Sequence, residues 1–118
     1  MLHPALEGSP GHAHWAALCA PDGCLEEPGR AAGLFSVILD AAIPQARVDA
    51  FCDALRLFKL GFSWGGPVSL VVPYDLAAMR MVWPAGLRRG ALVRFSAGLE
   101  AAADLVADLE QAFAALAG

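Results

Sequence analysis

Phe58-Lys59-Leu60-Gly61-Phe62-Ser63-Trp64-Gly65-Gly66-Pro67-Val68-Ser69-Leu70-Val71-Val72-Pro73-Tyr74-Asp75 places a polar serine, a tryptophan and a pair of glycines between two apolar runs. A connection serving structure alone does not need that combination. A glycine lets main chain approach a small ligand where a Cβ would clash. The residues 61–66 read as a loop and 68–74 as a strand, ended by Pro73 near a sheet edge, because proline cannot donate to a ladder.

Working outward, 91–97 reads as a further strand stopped by Gly98, with Arg94 in its middle. Gly33-Leu34-Phe35-Ser36-Val37-Ile38-Leu39 is apolar on both faces except at Ser36, which suits a strand covered on both sides or one under a helix layer. Pro44 opens a helix predicted to reach Phe58. Val48, Phe51, Cys52, Leu55 and Phe58 form its buried stripe, with Asp49, Asp53 and Arg56 opposite. A last helix is expected from Glu100 to Leu116, with Leu105, Leu109, Phe113 and Leu116 inward and Asp104 and Asp108 facing water. Glu100 and Asp104 suit the positive end of its dipole. Near the start, Ser9-Pro10 supplies a hydroxyl cap and a first-turn proline for a short helix through Trp15 and Leu18, ending before Pro21. Leu76 to Met81 is ambiguous, and Trp83-Pro84-Ala85-Gly86 is a turn. The order helix, strand, helix, strand, strand, helix predicts a single α/β domain over 1–118, an α+β two-layer sandwich with a small, mostly antiparallel sheet and helices on one face.

The 118 residues suffice for one domain with a real core. Hydrophobic residues make up 58% and charged residues 17%, an excess that suggests surface meant to be covered by something else. The longest nearly apolar run, Ala31 to Leu39, is far short of the about 20 residues a membrane span requires. The net charge of −4, with Arg88-Arg89 as the densest basic cluster, argues against nucleic acid. The start, Met1-Leu2-His3-Pro4, lacks a signal-peptide pattern, and the expected location is cytoplasmic. Cys19, Cys24 and Cys52 are an odd set, read as free thiols, with Cys52 a small core residue. Cys19 and Cys24 with His12 and His14 match no strong zinc spacing, so no metal site is assigned.

An arginine in mid-strand is costly to bury alone. Two readings of Arg94 stand open: a structural pair with an acidic residue such as Glu100, or a clamp on a ligand carboxylate, which guanidinium holds by two parallel hydrogen bonds. Ser63 and Trp64, beside Gly65-Gly66, could frame the same ligand; the plainer reading is a capped loop around a core tryptophan. No nucleophile–base set, phosphate loop or catalytic residue is evident.

Gly61-Phe62-Ser63-Trp64-Gly65-Gly66, Ser69-Leu70, Arg94-Phe95-Ser96-Ala97-Gly98-Leu99-Glu100 and Asp104-Leu105-Val106-Ala107-Asp108-Leu109-Glu110 together resemble the C-terminal domain of the cystathionine β-lyases. These belong to the Cys/Met-metabolism group of pyridoxal-phosphate (PLP) enzymes. His3-Pro4, Pro10-Gly11-His12, Trp15 and Gly33-Leu34-Phe35-Ser36 extend the resemblance over nearly the whole chain.

The resemblance implies the small C-terminal domain of the type I PLP-dependent transferase fold, with the large cofactor domain absent. It implies that Arg94 grips the substrate α-carboxylate while Ser63 and Trp64 line the substrate pocket. The family reaction is β-elimination of cystathionine to homocysteine, pyruvate and ammonia, within transsulfuration and methionine biosynthesis. The Schiff-base lysine lies in the family's large domain, and Lys59 stands at the wrong place in the pattern for it. Pro67-Val68 depart from an aromatic and a glutamate common in the family, and the segment Cys19 to Pro28 reads as an insertion. The chain is therefore expected not to hold PLP by itself, and its partners would be an amino-acid carboxylate and either a large-domain chain or a second copy. A non-catalytic interaction or oligomerisation domain, and a truncated gene remnant, are the competing readings.

Overall fold

The computed structural model describes residues 1–22, 31–79, 82–83 and 85–117. Its elements in chain order are α1 (His12–Cys19), β1 (Leu34–Ile38), α2 (Gln45–Ala54), β2 (Lys59–Leu60), β3 (Leu70–Tyr74), α3 (Leu76–Met79), β4 (Leu92–Ser96), α4 (Ala102–Ala112) and α5 (Ala114–Ala117). The sheet runs β1-β4-β3-β2. β4 pairs antiparallel with both β1 and β3, and only the two-residue β2 runs parallel to its neighbour. The expected α/β arrangement with a mostly antiparallel sheet is the one observed.

Alternation along the strands decides the layers. Phe35, Val37, Val71, Val93 and Phe95 project to one side, where Val48, Phe51, Cys52, Leu55, Leu105 and Ala112 complete the core. Phe95 is its hub: Phe35 stacks on it at 5.1 Å, and the rings of Phe58 and Phe51 meet it edge-on at 5.3 and 6.5 Å. Each side chain fully buried here contributes about 1.5–3 kcal/mol. The other side of the sheet carries Ser36, Val72 and Arg94 in one cross-strand row. Because β2 ends at Leu60, opposite Val71, β3 has no partner on that side at Pro73, so the proline sits at a local edge as expected.

Four details differ from the sequence reading. Helix α1 begins at His12 rather than at Pro10. Gly11, at φ 83°, is its cap, and Ser9 lies in the preceding turn, its carbonyl accepting from His12 N–H. Helix α2 stops at Ala54, and Leu55 is extended with ψ 136°. Leu55 and Phe58 are still buried, because their spacing serves an inward-folded corner as well as a helix. Asp108 does not face water: it is 5% exposed and builds that corner. Its Oδ1 accepts from Arg56 N–H at 2.8 Å, and its Oδ2 accepts from Leu57 and Phe58 N–H at 2.8 and 3.3 Å. Finally, the last helix breaks at Phe113, which is half exposed although it stacks on Phe51 at 5.6 Å. Residues 23–28 of the segment read as an insertion, and Cys24 with them, lie outside the described residues.

Cys52 is buried, as its core reading requires. Burial, with the charges of Asp49 and Asp53 beside it, pushes its thiol up to about 11. The thiolate is the reactive form. Cys52 is therefore expected to resist iodoacetamide at pH 8 in the folded chain and to react fully in denaturant, as read by peptide mass spectrometry.

Candidate functional site

Arg94 lies at the centre of β4 with its side chain on the face away from the helices, because Val93 and Phe95 take the core side. It is partly buried. One of its N–H donors, on Nη2, bonds the Ser63 carbonyl at 2.9 Å. Its guanidinium carbon stands 5.5 Å from the centre of the Trp64 ring. That cation–π contact orients the planar fork without consuming its donors. The loop between β2 and β3 thus supplies both a backbone acceptor and an aromatic wall to one arginine. Ser63 closes the loop on itself: its hydroxyl donates to the Gly65 carbonyl at 3.0 Å, and Gly65 N–H returns to Ser63 Oγ at 3.2 Å. Gly65 has φ 140°, a conformation that L side chains rarely adopt.

Of the two readings of Arg94, the pair with Glu100 is not formed. Among the described residues no carboxylate lies within ion-pair distance of Arg94, and the ion pair present is Arg88–Asp40, at the surface. Glu100 is engaged elsewhere. Its Oε1 accepts from Ser69 N–H and its Oε2 from the Ser69 hydroxyl, both at 2.8 Å. The Ser69 N–H, Glu100's own N–H and the Ser69 hydroxyl hold the Glu100 carboxyl below its ordinary value. Trp64 is not a core residue either: it is 77% exposed and meets Phe62 edge-on at 6.3 Å. Leu60, Phe62, Trp64, Val68 and Leu99 are all exposed, so the loop and the segments that flank it carry large apolar side chains at the surface. Surface of this kind marks a place to be covered.

Sequence reasoning missed the contact set that joins this loop to the end of β4. Ser69 is fully buried, and its Oγ accepts from Gly98 N–H at 2.8 Å. Leu99 N–H bonds the Pro67 carbonyl at 3.0 Å. The signal was the serine preceding the apolar run of β3, with a glycine and a glutamate just beyond β4. A Cβ at Gly98 would sit 2.5 Å from the Pro67 carbonyl oxygen, 2.6 Å from Glu100 Oε2 and 2.7 Å from the Val68 carbonyl carbon. Because two of these neighbours are backbone, Gly98→Ala is expected to cost about 1–3 kcal/mol of stability, read as a lower urea midpoint.

The model of the Cys/Met metabolism PLP-dependent enzymes matches residues 1–114. The chain belongs to that family. It is 40% identical to the cystathionine β-lyase of Salmonella typhimurium over 117 residues, covering 95% of this chain and 27% of the relative. With the cystathionine β-lyase of Bordetella avium it shares 44% over 115 residues, 95% of this chain and 26% of the relative. Among solved structures, the cystathionine γ-synthase of Xanthomonas oryzae pv. oryzae in complex with cystathionine superposes with a TM-score of 0.64 at 31% identity. That match covers 98% of this chain and 28% of the enzyme. The chain thus spans about a quarter of the length of the relatives it matches.

The family is PLP-dependent. The lysine of this chain, Lys59, donates its ammonium to the Arg56 carbonyl at 2.6 Å, on the edge strand β2. Among the described residues no helix is long and apolar enough to cross a membrane.

Proposed function

We propose that residues 1–118 form the small C-terminal domain of a carbon–sulfur lyase of the cystathionine β-lyase type. In this reading the chain supplies the substrate-carboxylate wall of an active site whose cofactor wall lies in other residues. Arg94 binds the α-carboxylate of the amino-acid substrate, and Ser63 and Trp64 line the pocket beside it. The observation that carries the reading is that Arg94 is presented on the open sheet face with no internal carboxylate among the described residues. It is steered instead by the Ser63 carbonyl and the Trp64 ring.

The role of such an arginine is orientation. Two parallel charge-assisted hydrogen bonds fix both the position and the plane of a carboxylate, and so fix the direction of the bond to the neighbouring carbon's hydrogen. The cofactor, held elsewhere, supplies the electron sink that makes loss of that proton and of the β-thiolate possible. The exposed side chains of Leu60, Phe62, Val68 and Leu99 suit the seat of a large domain, in the same chain or in another. The proposed setting is the cytoplasm and the transsulfuration steps that lead to methionine.

The isolated chain is accordingly expected to keep no PLP absorbance band after dialysis and to release no pyruvate from cystathionine. A band that survives dialysis, together with pyruvate formation, would overturn the division of labour proposed here.

A further inference from the structure

We infer that Glu100 is a positioning residue that, through Ser69 and Gly98, fixes the Ser63–Trp64 loop against Arg94. The loop leaves the sheet at Gly61, whose N–H still bonds the Val71 carbonyl at 3.0 Å. It returns at Pro67 to Ser69. Between these points its bonds are local to Ser63 and Gly65, apart from the one from Arg94. The anchors at its two ends, with the Arg94 bond, therefore set where Ser63 and Trp64 lie.

The return end is held by the Glu100 carboxylate beside two backbone bonds, from Leu99 N–H to the Pro67 carbonyl and from Lys59 N–H to the Ser69 carbonyl, both at 3.0 Å. Glu100 takes both the N–H and the hydroxyl of Ser69, and the same hydroxyl oxygen accepts from Gly98 N–H. A single oxygen, buried with its residue, thus donates to the segment beyond β4 and accepts from it. The Leu99–Pro67 bond lies alongside. The missing Cβ at Gly98 allows the two backbones to close to this distance. Arg94 stands on β4, which leads directly into this segment, so the two partners of the arginine–loop contact are tied together at Glu100. With its carboxylate committed to Ser69, Glu100 also leaves the guanidinium free for an external anion.

The functional consequence rests on the carboxylate-binding reading above, and the experiment separates the two. Spectra of the 15N-labelled 118-residue chain are compared for the wild type, Glu100→Gln and Ser69→Ala, with acetate as the titrant. The variants are expected to keep the wild-type far-ultraviolet circular dichroism while the Trp64 indole and Arg94 guanidinium resonances move. Acetate should bind each variant at least about fivefold more weakly. A purely structural role would leave those two side-chain resonances in place in the folded variants. Their failure to move in either variant, or the unfolding of both variants, would overturn the inference. Should Glu100→Gln alone unfold, Ser69→Ala decides, since it keeps the backbone bond to Glu100. Should acetate leave wild-type Arg94 undisturbed while the variants still move Trp64, the positioning role stands and the carboxylate reading falls.

Discussion

Arg94→Ala is expected to lower kcat/KM for β-elimination by about a hundredfold or more in an assembly that contains the cofactor domain. On the proposed carboxylate-clamp reading, the size follows from removing one partner of a charge pair, which leaves the substrate carboxylate unpaired. The fold should survive the change. The side chain gives up one bond to a loop carbonyl and one ring contact, and no internal ion pair among the described residues. Arg94→Lys should recover only part of the loss, because an ammonium cannot bind a carboxylate in the bidentate manner and packs less well over the exposed Trp64 ring. Steady-state kinetics with size-exclusion chromatography decides. Activity lost with assembly retained supports the clamp, whereas assembly lost along with activity would make Arg94 a structural residue.

The second large effect is on stability and concerns a residue far from the site. Asp108→Ala should destabilise the folded chain by about 2–4 kcal/mol. Three backbone donors, on Arg56, Leu57 and Phe58, would lose a shared charged acceptor, and the Gln111 amide would lose a partner at 3.2 Å. For a domain of this size the melting temperature should drop by on the order of 10 °C. The acid limb of the stability curve carries the same signature. Burial alone would raise the Asp108 carboxyl, but the N–H groups of Arg56, Leu57 and Phe58 and the Gln111 side chain outweigh it and hold the folded value below the ordinary one. A group depressed in the folded state contributes stability that is fully present above its unfolded value, about 3.9, and is lost as pH falls through the folded value. The wild type should therefore lose stability relative to Asp108→Ala as the pH drops below about 4, and the two acid melts should converge.

Much of the fold was legible because its signals are local: helical spacing marked the two main helices. Short apolar runs bounded by glycine and proline placed β1, β3 and β4, and the run over 91–97 placed Arg94 in mid-strand. The parts that were not legible depend on contacts between distant residues. Cys52, Leu55 and Phe58 recur every three residues, and nothing local distinguishes a continuing helix from a corner. The Asp108 carboxylate, from a helix some fifty positions later, settles it by taking the N–H groups that another turn would have used. Strand β2 is two residues long and exists through its ladder to β3, so it carries no pattern of its own. At the site, arginine, serine and tryptophan were legible as residue types. The partner of the glutamate was not: Glu100 is six positions beyond Arg94, yet it serves Ser69, thirty-one positions before it.

The most direct test of the central claim is a titration of the 15N-labelled chain with L-alanine and, separately, with L-alaninamide, which lacks the carboxylate. The Arg94 guanidinium and Trp64 indole resonances are followed in each. The proposed carboxylate wall predicts that L-alanine moves both saturably, that L-alaninamide moves neither, and that Arg94→Ala abolishes the Trp64 response. Equal responses to the two ligands, or none to either, would contradict it.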